Sequence, residues 1–417
     1  MDSFIVAFII ILFDCIIVKR IEKIFPQFNS RHKKGIRKAF IIQATVSVAI
    51  VIIGHILQRQ VSNYRLFAYY YYLFGFVAII YISKAFYMFF LIVDWFFSTI
   101  KLKPVRFLKP DRFHKSRHIV AKGGLWISLV FAILSIWGIL FGRFNFSVER
   151  VDVTIDNLPS TFNGYKIVQI SDIHAGSFFG FTERCQKAVD LINRQEPDLI
   201  VFTGDMVNNF AEELTPLIPI FSQLKAHDGK YAVLGNHDYG GYHDWETPTD
   251  SVVNYETFEN AMKQMEFVLL KNQSVVIDPA ILPSYDCMAL IGIENWGIQK
   301  HHPKRADLKQ AMESVHNIPF KVLLSHDPVF WAHYVKGKTD IALTLSGHTH
   351  GMQMGVKLGK KRYTPSFLLH HRYPYGAGLY RFDKQYLYVN RGLGVIGLPA
   401  RIGMPPEITV ITLRKEK

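Results

Sequence analysis

A chain of 417 residues with 49% hydrophobic side chains and a mean hydropathy of +0.13 has room for two or three domains and is too apolar to be an ordinary water-soluble enzyme throughout. The net charge of +14 is not a nucleic-acid footprint, because Met1 to Gly142 holds 19 Lys and Arg against 5 Asp and Glu, while the remainder holds 29 of each. The excess lies wholly in the hydrophobic amino-terminal third, where basic residues act as topology signals and contacts for anionic lipid.

In chain order, four apolar stretches come first, at Ser3–Val18, Ala39–Leu57, Leu66–Val93 and Gly123–Gly142, and they predict a transmembrane helical region over residues 1–142. A bilayer crossing needs about 20 residues. The second, third and fourth stretches meet that length; the first is shorter and carries Asp14. Met1-Asp2 lacks the basic start of a cleavable signal. The links Lys19–Lys38 and Ser98–Lys122 each carry eight Lys or Arg, and Gln58–Arg65 carries two. The positive-inside rule then makes the first and third links cytoplasmic and leaves the carboxy-terminal domain, residues 143–417, outside, on a multi-pass cell (inner) membrane protein. No proton-relay role is assigned to Asp14 or Asp94, and the run Tyr69 to Tyr72 is read as packing and interfacial anchoring.

The carboxy-terminal domain opens with a predicted strand over Phe146–Ile155. Strand Lys166–Ile170, a helix over about Thr182–Gln195, strand Leu199–Thr203, a helix near Ala211–Ala226 and strand Tyr231–Leu234 follow, then a helix over Val253–Met265. Further strands are predicted at Met288–Ile293, Val322–Ser325, Ile341–Ser346, Leu379–Phe382 and Tyr386–Val389. Alternating strands and helices that give way to a strand-rich end predict an α/β sandwich with its reactive groups at one edge.

Five short polar motifs follow these hydrophobic runs: Asp172-Ile173-His174, Gly204-Asp205, Gly235-Asn236-His237-Asp238, Ser325-His326-Asp327 and Gly347-His348-Thr349-His350. Hydrolysis of a phosphate ester requires neutralised phosphoryl charge, a hydroxide near neutral pH and help for the leaving oxygen, and two divalent ions about 3.5–4 Å apart supply all three. Imidazole and carboxylate ligands suit Mn, Fe, Zn or Co, and the thiolates of a structural zinc or iron–sulfur site are missing. Asp172 and His174, two apart, would share one face of an extended segment, and a break after Ser171 would let them converge on one ion; His348 and His350 repeat the spacing. The lone Asp205 is placed to bridge two ions. Asn236 offers a neutral ligand oxygen. His237, with Asp238 beside it to favour imidazolium, is read as the general acid and not as a ligand.

With these motifs in this order, the chain resembles the calcineurin-like metallophosphoesterase superfamily over about residues 148 to 417. The tail Tyr388-Val389-Asn390-Arg391-Gly392-Leu393-Gly394, followed by Pro405-Pro406-Glu407-Ile408, resembles its branch of bacterial membrane-linked phosphodiesterases. The resemblance implies two stacked sheets flanked by helices, in α-β-β-α layers. It also implies that Asp172, His174 and His350 hold one ion, that Asn236, His326 and His348 hold the other, and that Asp205 bridges them. The expected activity is hydrolysis of a phosphate ester of a lipid, lipid-linked sugar phosphate or cell-envelope polymer, a diester in preference to a monoester. The alternatives are an inward-facing hydrolase of a nucleotide-linked lipid precursor, of the UDP-diacylglucosamine pyrophosphatase type, and a nonenzymatic membrane binding module that retains the fold. A serine hydrolase built on Ser325, His326 and Asp327 fails, since adjacent residues on one strand cannot converge and no Gly-x-Ser-x-Gly elbow occurs.

Segments Tyr239–Asp250 and Lys357–Tyr375, the latter basic and aromatic, are the candidates for substrate selection. Arg391 and Arg401 fit either phosphate contacts or surface ion pairs. His301 and His302 read as exposed loop residues. Cys15, Cys185 and Cys287 form neither a disulfide framework nor a metal cluster, with a Cys185–Cys287 pair left open.

Overall fold

The computed structural model describes residues 3–60, 63–99, 118–278, 286–297, 304–359, 361–365 and 374–416. The chain separates into two compact units, one of Met1–Val61 with Tyr69–Trp137 and one of Ser62–Ala68 with Gly138–Lys417.

The first unit is helical. It is built from α1 (Ser3–Ile24), α2 (Ser30–Gln60), α3 (Tyr64–Thr99) and α4 (Ile119–Leu140), of which α3 and α4 extend beyond it. Three helices, Ser30–Ile56, Tyr64–Phe97 and Ile119–Phe144, are long and apolar enough to cross a membrane; α1 does not reach that standard among the described residues. Large apolar side chains such as Phe8 and Trp126 are exposed along these helices, the pattern of a surface solvated by lipid. Polar groups are instead turned inward and paired: Lys84 binds the Asp14 carboxylate and the Gln43 amide, and Tyr81 donates to Asp14 at 2.9 Å. The charge of α1 is thus matched by one from α3, which lowers the cost of placing either in hydrocarbon.

The second unit stacks two mixed six-stranded sheets. The first has the order β1 (Ser147–Ile155), β14 (Glu407–Lys415), β2 (Lys166–Ile170), β3 (Leu199–Phe202), β4 (Lys230–Ala232), β5 (Val268–Leu269). The second runs β12 (Gly378–Phe382), β13 (Gln385–Val389), β9 (Leu343–Ser346), β8 (Phe320–Leu324), β7 (Met288–Gly292), β6 (Gln273–Ile277). A hairpin of β10 (Val356–Leu358) and β11 (Lys361–Tyr363) stands apart.

Period-two alternation explains the layers. Ile167, Leu199 and Val201 from the first sheet meet Leu290, Val322, Leu324, Leu343 and Leu345 from the second in one buried cluster. The alternate residues Val168, Ile170, Ile200 and Phe202 face the opposite way, into a cluster with Val189 and Ile192 of α5 (Arg184–Asn193), Phe221 of α6 (Ile218–Phe221) and Phe258 and Met262 of α7 (Pro248–Gln264). On the far side, Leu323, Leu387 and Val389 pack with Trp331 and with Ala311 of α8 (Leu308–Met312). Each fully buried Ile or Leu contributes about 1.5–3 kcal/mol, so the central strands are the most strongly determined part of the fold.

Several elements depart from the sequence reading, which did not include β5, β6, β10, β11 or α8. The helix expected over Ala211–Ala226 breaks into a 3-10 turn, Ala211–Leu214, and the short α6, because Pro216 and Pro219 remove backbone donors and push the preceding residues out of helical geometry. Helix α7 starts five residues before the expected Val253, at Pro248, where Thr247 and Asp250 form a reciprocal cap. The last strand, β14, was not anticipated, and it lies between β1, to which it is parallel, and β2, to which it is antiparallel. His301, His302, Lys360 and residues 366–373 lie outside the described residues. All three cysteines are free.

Candidate metal centre

Strands β2, β3 and β4 run parallel to one another, as do β7, β8, β9 and β13. All five motifs follow the carboxyl ends of these strands, at Ile170, Phe202, Ala232, Leu324 and Ser346, so the two sheets deliver them to one edge. The loops also bind each other directly. Asp172 N–H donates to Gly204 O at 2.9 Å, His174 N–H to Asp205 O at 3.1 Å and Gly347 N–H to His326 O at 3.0 Å.

Local backbone geometry differs from an extended segment. Asp172, His174, Asp205, His348 and His350 all have positive φ, between +44° and +72°, where a side chain costs about 1 kcal/mol or more per residue. Asp172 and His174 therefore converge through two left-handed residues, not through the period of a strand. The bends need close backbone approach: a Cβ on Gly235 would strike the Asp205 carboxylate, and one on Gly204 would strike the Gly235 backbone.

The result is a compact set of donor atoms. His174 Nε2 lies 3.1 Å from His350 Nε2, and His350 Nε2 lies 3.3 Å from Asp172 Oδ1. In the second group His326 Nε2 lies 3.1 Å from Asp205 Oδ2 and 3.2 Å from His348 Nδ1. Asp205 Oδ2 also lies 3.6 Å from His174 Nε2, so one carboxylate oxygen faces both groups. Donors held at about 2.0–2.2 Å from one cation are separated by roughly 3.0–3.5 Å, and these spacings fit that requirement. Two neutral imidazole nitrogens with facing lone pairs repel unless a proton or a cation lies between them.

Two further features fit a cation. His326 Nδ1 donates to Thr203 O at 2.7 Å, which orients the ring so that Nε2 is the atom turned to the cluster. Asn236 donates its Nδ2 to Tyr242 Oη at 2.6 Å, while its buried Oδ1 has no hydrogen-bond partner among the described residues. A buried carbonyl oxygen without a donor is costly, and a metal ion would relieve it. Among the described residues, three groupings of His and Asp could hold an ion: Asp172–His174–His350, Asp205–His326–His348 and His174–Asp205–His237.

Electrostatics follow from burial and crowding among the protein groups. Burial pushes the Asp172 carboxyl up to about 7 and brings the His174 imidazole down to about 3. Burial likewise lowers His348 and His350. His326 is also buried, but the carboxylates of Asp205 and Asp172 outweigh that effect and push it up to about 10. Asp205 is the mirror case: burial opposes its charge, yet His326, His237 and His174 hold it well below the ordinary carboxylate range.

His237 sits at the rim. Its Nδ1 meets Asn208 O at 2.7 Å, its backbone N–H donates to Asp205 Oδ1 at 2.9 Å, and its ring stacks on Tyr242 at 4.2 Å. The neighbouring Asp238 is not its partner, contrary to the sequence reading. That carboxylate turns inward and accepts from the backbone N–H groups of Asp205, Met206, Val207 and Gly235, bracing two metal-site loops against each other.

Arg391 and Arg401 are also placed differently from either sequence expectation, at 4% and 1% exposure. Arg391 pairs with Glu149 and Glu407. Arg401 donates to the carbonyls of Arg391, Gly392, Gly394 and Met404 and lies 3.4 Å from His350 Nδ1. Arg362, from the basic candidate loop, is likewise engaged by Glu149. Of the segment Tyr239–Asp250, Tyr242 reaches the site and Thr247 with Asp250 caps α7.

Sequence reasoning missed Tyr242 and Glu213. Glu213 is fully enclosed and accepts from Gly176, Asn208, Asn209 and Phe210 N–H, fixing the turn whose Asn208 carbonyl holds His237. A carboxylate in a short turn ahead of Pro216, beside a second acid at Glu212, carries no distinguishing sequence signal. Tyr242, five residues after His237 in a Gly-rich loop, had only proximity to mark it.

A fold of this class, with these donors at the ends of parallel strands, is that of a metal-dependent phosphoesterase. Residues 165–352 match the family model for the calcineurin-like phosphoesterases. An uncharacterized metallophosphoesterase of Bacillus subtilis, YkuE, is 31% identical over 278 residues, covering 64% of this chain and 86% of that protein. The bovine transmembrane protein with metallophosphoesterase domain is 30% identical over 305 residues, covering 72% of this chain and 64% of that protein. An uncharacterized metallophosphoesterase of Campylobacter jejuni, Cj0846, is 26% identical over 396 residues, covering 87% of this chain and 95% of its own length. The chain belongs to the calcineurin-like metallophosphoesterase family.

Proposed function

We propose that this chain is a membrane-anchored phosphodiesterase with a dinuclear metal centre, acting on a lipid, lipid-linked sugar phosphate or envelope polymer at the outer surface of the cell membrane. The observation that carries the reading is the pair of donor groups sharing Asp205, in a chain that also has three helices apolar enough to span a bilayer. In this reading Asp172, His174 and His350 hold one ion, Asn236, His326 and His348 hold the other, and Asp205 bridges. When bound, two divalent ions of the Mn, Fe, Zn or Co type neutralise phosphoryl charge and supply the nucleophile.

The chain's own groups do the rest. Asn208 O fixes the His237 tautomer through Nδ1 and leaves Nε2 to carry a proton to the departing alkoxide. Asp238 and Glu213 hold the loops that set this geometry. Tyr242 forms a wall beside His237, and its exposed ring offers a surface for the organic part of a diester.

Residues 1–142 serve as the membrane region and 143–417 as the catalytic domain. The outward orientation rests on the eight cations in each of the links Lys19–Lys38 and Ser98–Lys122 against two in Gln58–Arg65. Paired reporter fusions after Lys417, one active only outside the cell and one only inside, test it. Signal from the outside reporter alone is expected. Signal from the inside reporter alone overturns the orientation and directs the substrate search to nucleotide-linked lipid precursors.

A further inference from the structure

The first unit contains a second recess, unrelated to the metal centre. It has a volume of about 400 Å³ and is bounded by the end of α1, the α1–α2 turn at Pro26, the end of α3 and the start of α4. Its floor includes Ile24 and Leu91, both 3% exposed. Arg20, Lys23 and Lys33 line it, and none of the three makes an ion pair among the described residues.

The acidic groups around the recess are already committed. Asp94 meets His118 Nδ1 at 2.7 Å and accepts from Ala121 N–H, and Glu22 takes the Arg37 fork at 2.6 and 2.7 Å. Among the described residues, three cations therefore face a concave site whose two lining carboxylates, Glu22 and Asp94, each have a closer partner outside that trio. Its depth in the bilayer is set by its walls: Asp94 and His118 stand where the apolar spans Tyr64–Phe97 and Ile119–Phe144 end and begin. A recess at that level meets the phosphate zone of a leaflet, and exposed apolar side chains of the same helices, such as Ile16 of α1 and Ile92 of α3, are available to acyl chains.

We propose that this recess is a binding site for one anionic phospholipid, its headgroup phosphate held by Arg20, Lys23 and Lys33 and its chains lying along α1 and α3. A soluble anion would gain the same charge contacts but nothing from exposed apolar side chains such as Ile16 and Ile92. Each Lys or Arg at such a surface strengthens attraction to anionic lipid by about fivefold.

The full chain, carried in a mild nonionic detergent, is incubated with equal concentrations of phosphatidylglycerol and phosphatidylcholine, and retained lipid is counted by native mass spectrometry. One phosphatidylglycerol per chain, in preference to phosphatidylcholine, is expected. The triple variant R20Q/K23Q/K33Q should lose it. The control R31Q/K34Q/K38Q removes the same charge from residues of α2 that do not line the recess, and should keep it. If the first triple variant does not fold, K23Q/K33Q serves in its place and should weaken retention by about 25-fold. Equal loss in recess and control variants would mean diffuse charge attraction and would overturn the site. So would absence of any preference for phosphatidylglycerol, or its complete displacement by millimolar inorganic phosphate.

Discussion

Removing the hydroxyl of Tyr242 tests whether a residue outside the ligand set controls the metal centre. In Tyr242→Phe the ring remains stacked on His237, but Asn236 Nδ2 loses its 2.6 Å partner. Asn236 is 6% exposed, so its amide would be left largely unsolvated or would rotate and turn Oδ1 away from the site. An unsatisfied buried polar group costs about 1–3 kcal/mol, and loss of an outer-shell partner lowers metal affinity by about 10- to 100-fold. The same range emerges from both figures. The assay is a calorimetric titration of chelator-stripped full chain with Mn²⁺, alongside turnover at saturating metal. Weaker binding with nearly normal turnover at saturation is expected for Tyr242→Phe; Tyr242→Ala should also lower turnover, since His237 loses its stacking surface. Wild-type affinity in both variants would refute the role given to this hydrogen bond.

His237→Ala should slow a diester with an alkyl leaving group by about 10²–10⁴-fold and change p-nitrophenolate release far less, because a good leaving group needs no proton; equal loss on both substrates, measured as kcat, would remove His237 from the role of acid. A pH effect on stability follows from the raised groups. Asp172 and His326 have folded pKa values near 7 and 10 against unfolded values of about 3.9 and 6.5, so the stability they contribute is present at low pH and lost as pH rises through 7 and then 10. The metal-stripped chain should therefore melt at lower temperature as pH rises from about 6.5 to 10. Metal-loaded protein should not follow that slope, since metal binding requires the deprotonated ligands. Parallel melting curves with and without metal would contradict the assignment.

The candidate metal-site residues were legible because each motif sits directly after a run such as Leu199-Ile200-Val201-Phe202, where a buried parallel strand must end and chemistry collects. The central strands were legible for the same reason, whereas the edge strands β5 and β6 and the β10–β11 hairpin were not read. What escaped were relations between distant residues. Strand β14 pairs Ile411 with Ile167 and with Val151, partners more than two hundred positions away, and alternation within Glu407–Lys415 alone does not name them. Asp238 looked like the partner of adjacent His237, yet the left-handed turn at Asp205 brings three backbone donors to its carboxylate, Gly235 adds a fourth, and Asn208 O is left for the imidazole. Arg401 fitted either a phosphate contact or a surface ion pair because a sequence cannot show that the carbonyls of Arg391, Gly392 and Gly394 surround it.

The central claim is that the two donor groups sharing Asp205 form a hydrolytic metal centre. The direct test is hydrolysis of bis(p-nitrophenyl) phosphate by the purified full chain, before and after metal removal and with Mn²⁺ restored, alongside Asp205→Asn. Activity that vanishes on chelation, returns with Mn²⁺ and is about 10³-fold or more lower in a folded Asp205→Asn variant is the predicted result. Undiminished hydrolysis by Asp205→Asn, or by thoroughly stripped protein, would contradict it.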